Sequence, residues 1–360
     1  MKRTAKAAVY TGALKPFEIR EYEILPPPAG YSGMTLVASG VCGTDIHIHN
    51  GKLGFENEQI IGHEFVGCID AISEEDSAKS GLKKGDNVIV DIAVPCGKCE
   101  LCLSGDDANC VNMACTNTGS PNEPPYFHGG YAEYSFAPIK NLIKIPNDVA
   151  PSTACVFACP GPTAIHAFQL AKRANIDFSN IRTAVVQGIG PVGTFAISYL
   201  KNELKVERVI ALTVYTDDKR NELIKKMGAD EIIQFDSTTE ASVAESICAD
   251  LVFEASGSPK AVPMGMNMLH NRGVYLVPGQ YSNSGGVEIQ PQLITFKALM
   301  MIGSSQYSLC DVGEYVRFLE ANKHLHGVIN SLATCYKVED VNKAFEDAKA
   351  HKNIKTVLVK

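Results

Sequence analysis

An α/β fold in two domains, one β-rich and one built on a doubly wound parallel sheet, is predicted by three observations. The chain has 360 residues, more than one typical core accommodates. Up to about residue 155 it carries short apolar runs, at 35–38, 87–92 and 131–136, each bounded by Gly, Pro or Asp, as short strands are. From about 156 onward strand-like runs alternate with helical ones, the signature of parallel βαβ units. The opening residues M-K-R-T-A-K-A-A-V-Y turn polar again by Thr11 and read as a first strand, not as a secretory apolar core.

Composition narrows the function classes. A hydrophobic share of 45% with 20% charged residues is that of an ordinary globular protein. A net charge of −7 and a pI near 5.8 give no basic footprint for nucleic acid or an anionic membrane. No run approaches the roughly 18 apolar residues of a membrane-spanning helix. Twelve cysteines without a signal peptide point to a reducing, cytoplasmic setting and to metal or thiolate roles.

The strongest chemical signal in the β-rich half is P-C-G-K-C-E-L-C-L-S-G-D-D-A-N-C, which places Cys96, Cys99, Cys102 and Cys110 at C-x2-C-x2-C-x7-C. Two-residue gaps let neighbouring thiolates turn toward one centre, and Zn²⁺ favours such a closed all-sulfur tetrahedron for a structural site. A second signal is split between two segments. V-C-G-T-D-I-H supplies Cys42, and I-G-H-E-F-V-G, 21 residues on, supplies His63 and Glu64. A thiolate and an imidazole are suitable zinc ligands, and an adjacent carboxylate can orient a ligand or exchange with it. Taken by itself, His63 reads sooner as a core or surface histidine than as a ligand. Thr44, Asp45 and His47 follow Cys42 closely, so a hydroxyl and an imidazole stand where a proton can be relayed to solvent.

The second half opens with R-T-A-V-V-Q-G-I-G-P-V-G-T-F-A-I-S-Y-L at 182–200, a strand, a glycine turn and an apolar helix. Gly188, Gly190 and Gly193, with Pro191 and Val192 between them, form G-x-G-x-x-G in the context that fits a dinucleotide: a tight turn, close approach of a pyrophosphate, and donors at a helix N-terminus. An NAD enzyme is expected to carry an acidic residue about 20 positions further on for the adenosine ribose. Counting back from Gly228, that position is Tyr215, with Lys219 and Arg220 downstream where a 2′-phosphate can be met. NADP(H) is therefore expected, while Asp217, two residues away, keeps NAD open. Residues 217–220 also read as a solvated turn opening a helix. The runs at 249–258 and 273–279 read as later strands of the same sheet.

C-G-T-D-x-H, G-H-E-x-x-G, the four-cysteine loop and the glycine fingerprint stand here in the order of the zinc-dependent medium-chain alcohol dehydrogenases, which the whole chain resembles. The resemblance implies a GroES-like catalytic domain at 1–155, a Rossmann NAD(P)-binding domain at 156–295, and a return segment at 296–360. It implies two zinc ions per chain, a catalytic one on Cys42 and His63 with Glu64 beside it and a structural one on the four-cysteine loop. The third catalytic ligand comes from A-C-V-F-A-C-P-G-P-T-A-I-H-A at 154–167. Cys159 is expected, with Cys155, one helical turn away, as the competing thiolate, and Glu64 completing the shell with water as the remaining alternative. His166 is expected to be a packing residue. In the family's chemistry a hydride passes between NAD(P)(H) and an alcohol/carbonyl pair, with Thr44 and His47 moving the proton and Asp45 holding a ligand. F-H-G-G-Y-A-E-Y at 127–134 resembles the family's glycine turn and strand before the crossover. Substrate contacts are expected near Phe55, Tyr126, His128 and 280–307, although Tyr126 and His128 read as well as ordinary loop residues. A polyol or sugar dehydrogenase on the same scaffold, and a non-catalytic zinc- or nucleotide-binding protein, are the rival readings. Family members are homodimers or homotetramers, with 275–305 the expected contact. Cys68, Cys115, Cys248, Cys310 and Cys335 have no motif partners.

Overall fold

The computed structural model describes residues 2–54, 56–280 and 282–360; Phe55 lies outside them. The chain forms two compact units, residues 1–159 with 308–360, and residues 160–307. The divisions fall at 159/160 and 307/308, where the sequence reading drew 155/156 and 295/296. The later second division has a physical reason. Met300–Gly303 is not part of the return but hydrogen-bonds in parallel to Leu269–Val277, so it is a strand of the second unit's sheet.

The first unit is built on a seven-stranded, mostly antiparallel sheet. Its order is Ala333–Lys337, Lys355–Val359, Tyr31–Gly40, Glu64–Ala71, Asn87–Val90 and Leu142–Lys144, with Tyr134–Pro138 also pairing along Tyr31–Gly40. The central strand Tyr31–Gly40 is buried over most of its length, which suits its unbroken run of small and apolar residues. The C-terminal strand, paired at Val357 with Gly40, thus lies next to the strand that leads into Cys42. Thr4–Val9 pairs with Glu18–Glu23, as its alternating start implies. The apolar run at 131–136 becomes a strand only at Tyr134. Residues 131–133 instead bond outward: Ala8 N donates to Tyr131 O (2.8 Å), and Tyr131 N to Ile61 O (3.2 Å). Ala8, Phe65, Phe127, Tyr131 and Phe136 are at most 1% exposed and sit in one apolar core.

The second unit holds six parallel strands in the order Glu231–Gln234, Arg208–Thr213, Thr183–Gln187, Ala249–Glu254, Leu269–Val277 and Met300–Gly303. The order reverses direction between Thr183–Gln187 and Ala249–Glu254, the switch point at which doubly wound sheets take their ligands. No helix among the described residues is long and apolar enough to cross a membrane.

Candidate active site

Two groups of potential metal ligands are assembled in the first unit. In the first, one donor atom each from Cys42, His63, Glu64 and Cys159 lies within 4.8 Å of the others. In the second, the sulfurs of Cys96, Cys99, Cys102 and Cys110 meet the same limit.

The elements that converge on the first group explain its geometry. Tyr31–Gly40 runs out into Cys42, the N-cap of the short helix Gly43–His49. Cys42 N donates to Asp45 Oδ2 (3.0 Å), which ties the cap to the first helical turn. Gly62 delivers His63 and Glu64 to the start of Glu64–Ala71 with a φ of +100°, and a Cβ there would stand 2.4 Å from the Tyr131 ring, so only glycine fits. The last donor comes from a break in helical structure. Pro151–Val156 ends, residues 157–159 turn, and a new helix starts at Pro160, whose missing N–H suits a first helical position. Cys155 and Cys159 are therefore not on consecutive turns of one helix, contrary to the spacing argument. Cys159 joins the group, whereas Cys155 is fully buried with its thiol 3.6 Å from Glu64 O, and burial pushes that thiol up to about 12.

A second layer of charge surrounds the donors. His63 Nδ1 lies 3.3 Å from Asp45 Oδ1, leaving Nε2 as the ring atom available to the group. Asp45 is fully buried and also accepts from Tyr131 Oη (2.7 Å). On the other side Glu64 Oε2 is ion-paired with Lys355, itself 1% exposed, and Lys355 also donates to Val41 O (3.3 Å). Burial pushes the Glu64 carboxyl up to about 7 despite Lys355. Among the described residues, Glu64 Oε1 is buried with no hydrogen-bond partner. The hydrogen bond with Cys159 and the His63 charge favour thiolate on Cys42, and by the same contact hold Cys159 as the thiol. Two sulfurs, an imidazole and an orphaned carboxylate oxygen are a donor set that fits Zn²⁺. Burying an unpaired carboxylate oxygen otherwise costs free energy without return.

Thr44 and His47 ride on the helix Gly43–His49, both half-buried. Partial burial and Lys52 push His47 below its ordinary value, so it is neutral and able to accept a proton near neutral pH. Tyr126 and His128 are half-buried in the loop 115–130.

In the four-cysteine loop, Cys99 Sγ stands 3.4 Å from Cys102 Sγ and 3.9 Å from Cys110 Sγ. A zinc–sulfur tetrahedron with bonds of about 2.3 Å has edges of about 3.8 Å. Backbone N–H groups of Lys98 and Cys99 pull Cys96 down to about 6, while burial and Cys99 push Cys102 up to about 12. The loop is closed at its base by Ala93–Val94 pairing with Ala114–Cys115.

In the second unit the glycine turn joins Thr183–Gln187 to the helix Pro191–Asn202, capped by Gly190. Gly188 has φ +91°, and a Cβ on Gly193 would lie 1.9 Å from Gly188 O, whereas the Cβ position of Gly190 opens onto empty space. Pro191, which has no N–H, opens the helix, and the free N–H groups of Val192 and Gly193 with the helix dipole suit a pyrophosphate. Tyr215 is 53% exposed beyond Arg208–Thr213, and the buried Arg220 guanidinium lies 5.7 Å from the centre of its ring. Lys219 is exposed. Asp217 caps the helix Asp218–Met227, its Oδ1 accepting from Arg220 N (2.8 Å).

Three residues had escaped sequence reasoning: Lys355, Tyr131 and the buried Asp91. Lys355 sits at the head of the expected T-V-L-V strand, and Tyr131 lies within F-H-G-G-Y-A-E-Y. A lone basic or aromatic residue at a strand start carries no sign of which partner it will meet.

Comparison with known proteins agrees with this architecture. The alcohol dehydrogenase GroES-like domain matches residues 33–147, and the glucose dehydrogenase C-terminus matches residues 156–359. D-xylulose reductase A of Aspergillus oryzae is 30% identical over 332 residues, covering 89% of this chain and 87% of that protein. An alcohol dehydrogenase from Thermotoga maritima shares the fold at a TM-score of 0.86 and 24% identity, covering 99% of each chain. The RspB alcohol dehydrogenase of Escherichia coli CFT073, solved with NADH, has a TM-score of 0.78 and 26% identity, again over 99% of each. A dehydrogenase class is thereby defined. The chain belongs to the zinc-dependent medium-chain dehydrogenase family, oxidoreductases that act at CH–OH carbons with NAD(P).

Proposed function

We propose that this chain interconverts an alcohol and its aldehyde or ketone with NADP(H), using a catalytic zinc held by Cys42, His63 and Cys159 with Glu64 in reserve. The observation that carries this reading is the buried donor group with its orphaned Glu64 Oε1. A bound Zn²⁺ supplies Lewis acidity to a substrate oxygen, and the nicotinamide exchanges hydride with the substrate carbon. The residues around them orient the site and move the proton. Asp45 fixes the His63 ring, Thr44 is placed to exchange the hydroxyl proton, and His47 carries it toward solvent. Cys96, Cys99, Cys102 and Cys110 hold a second, structural zinc. The test is metal content with turnover: two zinc ions per chain, one lost with all activity in Cys42→Ser, is the expected result. Full turnover in that variant sinks the reading.

Gly188, Gly190, Pro191, Val192 and Gly193 are proposed to cradle the pyrophosphate. The preference for NADP(H) rests on four side chains. Tyr215 offers no carboxylate to a ribose, Asp217 is engaged as a helix cap, and Lys219 and Arg220 supply cations for a 2′-phosphate. The NADH in the RspB structure pulls the other way. Initial rates decide: kcat/KM with NADP(H) above that with NAD(H) is expected, and the reverse removes the role given to Tyr215.

A polyol or sugar substrate is a second reading, favoured by the likeness to D-xylulose reductase A. A panel of primary alcohols, secondary alcohols, polyols and sugars separates the two. The enzyme is proposed to work in the reducing cytoplasm, where twelve free cysteines persist. It is proposed to be a homodimer or homotetramer, joined at the outer edge of Met300–Gly303. That edge pairs with no strand among the described residues, and Phe296 beside it is 77% exposed.

A further inference from the structure

We propose that Tyr131 is a positioning residue for the catalytic metal, acting through Asp45 on the orientation of His63. The proposal rests on reading Cys42, His63 and Cys159 as the metal ligands.

Asp45 has no contact with solvent, so each of its charge interactions is a protein group. Oδ2 accepts from Cys42 N (3.0 Å) and from Tyr131 Oη (2.7 Å), and Oδ1 faces His63 Nδ1 (3.3 Å). The first contact ties the carboxylate to one ligand segment and the last to the other. Among the described residues, the Tyr131 hydroxyl is the one side-chain donor that fixes its rotation from outside both segments. A phenol hydroxyl donating at 2.7 Å to a buried carboxylate oxygen makes one of the stronger kinds of hydrogen bond.

Tyr131 itself is held on every side. Its backbone is bonded to Ile61 O and Ala8 N, and Gly130 N donates to Gly62 O (2.9 Å), so the segment carrying Tyr131 is laced to the one delivering His63. Its ring packs edge-on against Phe17 (6.2 Å) and Phe345 (5.9 Å), and against the bare α-carbon of Gly62. Burial and the Asp45 charge keep the phenol protonated far into alkaline conditions, so toward Asp45 it acts only as a donor. The other charged groups of this pocket, Glu64 and Lys355, are paired with each other. The result is a chain of contacts, Tyr131 to Asp45 to His63, whose far end is rigid.

The test uses the metal-loaded enzyme with Co²⁺ in place of zinc. Tyr131→Phe keeps the ring and removes one oxygen. It is expected to shift the visible absorption of the Co²⁺ that depends on Cys42 and to raise that ion's dissociation constant about 3- to 10-fold, below the 10- to 100-fold typical of losing a direct ligand support. The ion on the four-cysteine loop is expected to be unaffected. In an Asp45→Ala background, which leaves the phenol no acceptor at that position, Tyr131→Phe is expected to add nothing, because its only route is through that carboxylate. Tyr134→Phe, which removes a buried phenol hydroxyl 3.3 Å from Asp70 instead, controls for general loss of packing and leaves the spectrum unchanged. An unchanged spectrum and affinity in Tyr131→Phe, or an equal effect in the Asp45→Ala background, overturns the proposal. A wild-type protein whose metal uptake is indifferent to Cys42→Ser overturns the metal-site reading beneath it.

Discussion

The two cysteine-bearing groups of potential metal ligands in this protein differ in what surrounds the sulfurs. Around Cys42, His63, Glu64 and Cys159 the neighbours are charged side chains: Asp45 behind His63, and Lys355 behind Glu64. Around the four-cysteine loop they are main-chain groups. Cys96 N donates to Cys110 Sγ (3.3 Å), Asn112 N to the same sulfur (3.4 Å), and backbone amides draw Cys96 toward thiolate. Backbone donors fix a shape and leave little to adjust. Side-chain charges on a buried carboxylate leave one oxygen unspent, and that oxygen can enter or leave a coordination shell. The first arrangement suits a site that must make room for a substrate, the second a staple.

The largest test of this contrast pairs two serine substitutions. Cys42→Ser is expected to lower kcat/KM by at least about 10³-fold, since Lewis-acid stabilisation is worth several kcal/mol, with a modest change in melting temperature. Cys99→Ser is expected to do the reverse: a drop in thermal stability of several degrees, with turnover of the surviving folded enzyme within a few-fold of normal. Thermal unfolding and steady-state rates on both variants check it. Equal loss of activity in the two would erase the distinction drawn between the sites.

Next in size is Lys355→Met. Breaking a buried pair by removing one partner costs about 3–5 kcal/mol because the other charge is stranded. The expected outcome is a loss of that order in urea-unfolding free energy, largely recovered in Lys355→Met with Glu64→Gln. A loss under about 1 kcal/mol would mean that Glu64 sheds its charge freely, and the carboxylate could not then be described as held in reserve.

How much of this was legible in the sequence follows from the reach of each contact. The four-cysteine loop, Cys42 with Asp45, His63 with Glu64, and the Gly188–Gly193 turn are local patterns, and a local pattern shows its geometry in its spacing. The alternation of strand and helix after residue 156 likewise announced the parallel sheet. Lys355 and Glu64 are 291 residues apart, and Tyr131 and Asp45 are 86 apart. They meet because the last strand pairs beside Tyr31–Gly40 and because residues 131–133 bond to the Ile61 segment, neither of which spacing can express. The relation of Cys155 to Cys159 was misjudged for a related reason. A four-residue separation implies one helical face only if the helix continues, and here it stops before Cys159.

The smallest predicted effect lies under the staple. Asp91 is 1% exposed, with Oδ1 accepting from Ala93 N (3.0 Å), just before the loop's first cysteine. Burial pushes its carboxyl up to about 7, helped by the charges of Asp107 and Asp311. Asp107, inside the loop, is hydrogen-bonded to Ser308, whose backbone N–H donates to Asp311 (2.8 Å), so these two carboxylates meet at one serine. A carboxyl raised in the folded state contributes its full stability below its unfolded value, near 4, and loses it as pH rises through 7. Asp91→Asn keeps an acceptor for Ala93 and turns an amide toward the two remaining carboxylates. It is expected to raise unfolding free energy by on the order of 2 kcal/mol more at pH 8 than at pH 5, where the loss that begins near pH 4 has only started. Urea titrations at the two pH values check the difference. If the gain is the same at both, Asp91 is ionised throughout, and the loop is then braced by a buried charge, as the catalytic group is, and not by main-chain donors alone.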